Sequence, residues 1–156
     1  MFSLQYEELL IESETLGAIV KEVDLITKKG LCYGNRIAIK HNLTEREKNC
    51  VLAEELGHYI LTVGDIKEQR FNISNRKQEL LARAWGYDKL IGLSGLINAF
   101  NAGCKFKYEL AEYFNITEAY LDEALHHYVN KYGSCYTVDC YIINFLPNLQ
   151  IGKSFS

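Results

Sequence analysis

Hydrophobic and polar positions along the chain change period several times, and each change predicts an element. In SLQYEELLIESE the apolar residues fall three and four apart, which predicts a first helix. AIVKEVDL is rich in β-branched residues with partial alternation and reads as a strand. KGLCYGNRIAIK reads as a hairpin: Gly34-Asn35 supplies the turn, and Ile37 and Ile39 share one face of the return strand. Thr44-Glu45-Arg46-Glu47 fits a capping box and Gly64 supplies a stop, so a long helix spans 44–62. GDIKEQRFNISN follows as a loop, and a second long helix covers 75–91. Gly92 and Ser94 interrupt, and a short helix in LSGLINAFNAG ends at Gly103. YELAEYF, NIT and EAYLDEALHHYVNKY are spaced like a helix-turn-helix, and YTVDCYIINFLPNLQIGK closes as a strand or pair of strands. The expected class is α+β, in the order α-β-β-β-α-α, a helical trio, then β. It divides into a core over 1–92, a helical segment over 93–133 and a strand segment over 134–156 that packs back onto one compact unit.

The segment VLAEELGHYIL is the oddest in the pattern. At 100° per residue, Leu52, Leu56, Tyr59 and Ile60 cover one side of a helix, and Cys50, Val51 and Leu61 lie around the other. A helix apolar nearly all round is a buried central element. Glu54 and His58, four apart, project together from it, and Glu55 stands beside them between Val51 and Tyr59. Buried carboxylates protonate, pair or coordinate a metal. The i, i+4 spacing is the geometry of H-E-x-x-H zinc sites, with Glu54 here in place of the first histidine and Glu55 where a general base would stand. The pentapeptide also fits a plainer arrangement, in which both glutamates reach solvent at a groove and His58 is hydrogen-bonded in the core.

In the second long helix, Glu79, Ala82 and Gly86 lie along one face. A mid-helix glycine costs about 1 kcal/mol against alanine, so Gly86 beside a small Ala82 points to close helix packing. That packing would carry Glu79 towards Glu54 and His58; otherwise Glu79 is a surface glutamate.

Composition narrows the function classes. The 156 residues are 48% hydrophobic and 24% charged, with eleven tyrosines, seven phenylalanines and one proline, which excludes a disordered chain and suits one domain. A formal net charge of −3 offers nothing to nucleic acid or an anionic membrane. Between positions 94 and 132, three lysines (105, 107, 131) face five acids, and Glu118, Asp122 and Glu123 open the would-be recognition helix, where phosphate would repel them. No direct nucleic-acid contact is expected, and such a surface suits a basic protein partner. MFSLQYEELLIES carries acid where a signal peptide carries base, and no apolar run approaches a membrane span, so a cytoplasmic protein without membrane contact is expected. Five cysteines without zinc-finger spacing are expected to be reduced structural thiols. Cys50, one turn before Glu54, is either a thiolate ligand or a buried core thiol. His126 and His127 point about 100° apart and are expected at the surface.

The helix with E-L-G-H, followed by E-x-x-A-x-x-W, resembles the ImmA/IrrE family of metallo-endopeptidases. The resemblance runs over roughly residues 5–150 and includes the preceding hairpin, NLTEREKNCVLAEELGHY, the GDI after it and YELAEYFNIT. It implies a small zincin-like core of a three-stranded sheet, an active-site helix and a ligand helix. It also implies a zinc-dependent cytoplasmic endopeptidase; relatives on phages and mobile elements act as anti-repressors by cutting a helix-turn-helix repressor. By the same resemblance Glu54, His58 and Glu79 match the metal ligands and Glu55 the general base.

Glu54 departs from the family, most of which has His there. Two carboxylates and one imidazole neutralise a +2 ion, so zinc affinity should fall, the pH optimum should rise, and harder ions such as manganese gain ground. For the substrate, Arg36, Ile37, Ala38, Ile39 and Lys40 form a candidate edge strand that would hold an extended peptide. Tyr59 or Tyr87 would either steady an oxyanion or simply pack, and Asp65 would either orient His58 or cap a loop. The alternative function is a non-catalytic protein that sequesters the repressor stoichiometrically.

Overall fold

A computed structural model describes residues 5–63 and 75–154. Helix α1 (Tyr6–Thr15) leads into a three-stranded sheet of β1 (Ile19–Val23), β2 (Gly30–Tyr33) and β3 (Arg36–Lys40). Gly34, at φ +61°, turns β2 into β3 as the Gly-Asn pair predicts. The strand order is β1-β3-β2, with β1 parallel to β3 and β2 antiparallel to it. Arg36–Lys40 is therefore the central strand, paired on both sides, which corrects its expected place at the edge. Chain order misled here because β1 passes over its sequence neighbour and pairs with the strand beyond. Ile37 and Ile39 are buried on one face, as their spacing requires.

That face packs against α2 (Glu45–Val63), whose start carries the expected box: Thr44 N–H donates to Glu47 Oε1 at 3.4 Å, and Glu47 N–H donates to Thr44 Oγ1 at 3.2 Å. Gly64 and Asp65, and with them the expected stop and histidine partner, lie outside the described residues. Helix α3 (Asn75–Leu90) runs back along α2. Two small-residue contacts set their separation. A Cβ on Gly57 would run into the backbone carbonyl of Ala82, and one on Gly86 would lie 3.3 Å from the Ala53 carbonyl group. Helix pairs approach this closely only where side chains are minimal, so the small face read at Ala82 and Gly86 is met by a second one on α2.

The chain continues through α4 (Gly92–Asn101), α5 (Lys107–Phe114) and α6 (Glu118–Tyr132). Asn115, in the left-handed conformation at φ 55°, ends α5, and Thr117 caps α6 by accepting from the Tyr120 N–H at 3.1 Å. Asn49 of α2 donates to the Asn115 carbonyl at 3.0 Å, which ties this corner to the buried helix. The tail forms three strands, one more than expected: β4 (Cys135–Val138), β5 (Tyr141–Asn144) and β6 (Gln150–Lys153), an antiparallel meander. Leu52, Leu56, Leu96, Ile116, Leu121, Tyr128 and Ile143 are fully buried and belong to one apolar cluster that also holds residues of α1 and β3. Among the described residues no helix is long and apolar enough to cross a membrane.

Candidate metal centre

The antiparallel contact of α2 and α3 brings two i, i+4 pairs face to face. Glu54 and His58 project from α2, and Glu79 and Arg83 from α3. His58 Nε2 lies 3.3 Å from Glu79 Oε1, and Arg83 Nε donates to Glu54 Oε1 at 3.4 Å. Glu54, His58 and Glu79 each offer a ligand atom, and the three atoms lie within 4.8 Å of one another. Ligands around a tetrahedral ion at roughly 2.0–2.2 Å sit a little over 3 Å apart, so small side-chain adjustments would close the set on one ion. The two carboxylates also match the charge of a divalent cation. The donor set fits such an ion, and all three side chains are partly exposed to the cleft in which they meet.

That cleft has a volume of about 850 Å³ and is walled by β2 on one side and by α2 and α3 on the other. Glu55 borders it one residue from Glu54. Its carboxyl is pushed up to about 7, first by burial and then by the nearby charges of Glu54 and Glu79, against a smaller opposing pull from Lys28. Gly30 makes this proximity possible. A Cβ there would lie 3.0 Å from both Cγ and Oε1 of Glu55 and press on Val51, so only a glycine lets β2 run this close to the helix.

Several sequence expectations meet a different environment. Tyr59 is buried, and its hydroxyl donates to the Leu16 carbonyl at 2.8 Å, anchoring the end of α1 away from the cleft. Tyr87 donates to Glu123 Oε2 at 3.2 Å, also away from the cleft. Both are packing aromatics. Of the two readings of Cys50, the core thiol holds: it is buried, hydrogen-bonded to Thr117, and pushed up to about 11 chiefly by burial. His127 is not a surface residue. Its ring sits 5.5 Å from those of Tyr87 and Tyr128, its Nε2 is buried, and burial lowers its pKa. His126 is exposed as expected. All five cysteines are thiols, but Cys135 and Cys140 are exposed and so are not structural in the expected sense.

Three site residues escaped the sequence reading. Gly57 and Gly30 signal themselves only as glycines inside regular elements, and Arg83 only as the residue four after Glu79.

The family model for the IrrE N-terminal-like domain, peptidase M78, matches residues 12–126. No curated protein matches the chain. The matched span is narrower than the sequence resemblance over roughly residues 5–150: it holds all of β1–β3, α2 and α3 and ends within α6, leaving the C-terminal sheet outside. It covers well over half of the 156 residues and every residue of the glutamate–histidine cluster, and on that match the chain belongs to the ImmA/IrrE family of metallopeptidases.

Proposed function

We propose that this protein is a zinc-dependent endopeptidase that cleaves a helix-turn-helix repressor of a phage or mobile element. The observation that carries the peptidase reading is the convergence of Glu54, His58 and Glu79 beside a half-buried Glu55 in an open cleft. The repressor as substrate rests on the family resemblance.

A divalent ion held by Glu54, His58 and Glu79, zinc or else manganese, would supply Lewis acidity to the cleft. Glu55 acts as the general base. It takes a proton from the attacking water, holds it in a site where burial favours the neutral carboxyl, and returns it to the departing amine. The peptide binds extended along β2. That strand, not β3, is the edge on the cleft side: among the described residues it pairs with β3, and its residues line the cleft. Gly30–Tyr33, in place of Arg36–Lys40, is thus the strand that would hold the substrate.

Glu55→Gln tests the reading. It should retain the fold and the metal and abolish cleavage of a cognate repressor; cleavage retained in a pure sample removes Glu55 from the mechanism. The second reading, stoichiometric sequestration without cleavage, draws on Glu54, a carboxylate where an H-E-x-x-H site has its first histidine, which leaves a bound ion less able to acidify water. Sequestration needs equimolar protein and survives Glu55→Gln, so one titration of repressor against both proteins separates the two.

A further inference from the structure

Arg83 borders the ligand cluster without being part of it. Its Nε–H donates to Glu54 Oε1 at 3.4 Å, leaving the second carboxylate oxygen of Glu54 uncommitted to this bond. It stands four residues after Glu79 on α3, so the helix that delivers one ligand also delivers the counter-charge of another. From the far side, Glu123 of α6 accepts from Tyr87 and adds a second negative charge near the guanidinium.

We propose that Arg83 is a positioning residue for the metal centre: it holds Glu54 by one oxygen, presents the other to the ion, and offsets the charge that Glu54 brings. The proposal rests on reading Glu54, His58 and Glu79 as the ligands. Two carboxylates, one imidazole and a divalent ion sum to zero, and the guanidinium returns the total to +1. A site with two imidazoles and one carboxylate carries that same +1.

Glu54 and Glu79 bring carboxylate oxygens within 4.8 Å of one another, and their like charges favour side-chain conformations that separate them unless something holds them. A nitrogen donor on Glu54 keeps its carboxylate in place before an ion arrives. Hydrogen bonds of this kind to a ligating carboxylate are typically worth roughly 10- to 100-fold in metal affinity. Against this stands direct repulsion between the guanidinium and the ion. The partly exposed position of Arg83 screens that repulsion, so orientation should win.

A double-mutant cycle on the full chain decides it, with zinc affinity measured by competition against a chromophoric chelator and folding followed by circular dichroism. In the native background Arg83→Gln should weaken zinc by roughly 10-fold or more, and Arg83→Lys, which keeps a charged N–H donor within reach of Glu54, should recover part of that loss. In a Glu54→His background the carboxylate is gone, and Arg83→Gln should leave affinity unchanged or improve it. Equal losses in both backgrounds, or no loss in the native one, overturn the proposal while leaving the ligand set intact. A native protein that binds neither zinc nor manganese overturns the ligand set and the role of Arg83 with it.

Discussion

Glu55 shows what burial does to a single residue. Desolvation together with Glu54 and Glu79 lifts its carboxyl to about 7, so the folded protein holds that proton more tightly than the unfolded chain does. The sign follows: in metal-free protein the associated stability is complete below the ordinary carboxylate range and is lost as pH rises towards 7. Thermal melts in chelator at several pH values should show native protein losing stability relative to Glu55→Gln across that window. Parallel profiles would contradict it. At this scale the sequence was most informative where partners share a helix. Glu54 and His58 follow from i, i+4 spacing, and Glu79 from the small face beside it. Gly30 and Arg83 were not legible, because their roles depend on which residue of another element lies opposite, and no local pattern encodes that.

Between elements, the decisive fact is the closeness of α2 and α3. Gly57 against Ala82 and Ala53 against Gly86 alternate with the His58–Glu79 and Glu54–Arg83 pairs, so packing and site geometry share one register. Gly57→Ala should therefore cost about 1–3 kcal/mol despite alanine's better helix propensity, because the added methyl meets backbone and not a flexible side-chain end. Denaturant unfolding measures this, and the same variant should bind metal more weakly; an unchanged midpoint would show that the helices can part at no cost. The small face of α3 was readable from Ala82 and Gly86. Strand order was not. Periodicity identifies β1, β2 and β3 as strands, but it carries no information on β1 pairing in parallel with β3, and neighbours in sequence are the usual expectation. That one crossover moves the substrate edge from Arg36–Lys40 to Gly30–Tyr33.

Across the molecule, elements remote from the cleft hold the ligand helices. Asn49 binds the α5–α6 corner, the Tyr120 hydroxyl would lie 2.9 Å from a Cβ on Gly86, and Tyr128 donates to Asp88 while accepting from Gly92 N–H. Ion pairs of Lys48 with Glu22 and Lys89 with Glu12 join α2 to β1 and α3 to α1. The order of elements through α6 was legible, since each change of hydrophobic period marks one. The third C-terminal strand was not, because a short, mostly exposed segment such as Gln150–Lys153 offers too few alternating apolar positions to announce itself. All of this architecture converges on one claim, that a divalent ion explains two adjacent glutamates and a histidine on a helix that carries much of the core. The measurement to make is metal content by mass spectrometry on tag-free protein, with His58→Ala and Glu79→Ala beside it. The account predicts close to one zinc or manganese ion per chain, lost in both variants. No bound metal even after it is added back, or metal kept in both variants, would contradict it.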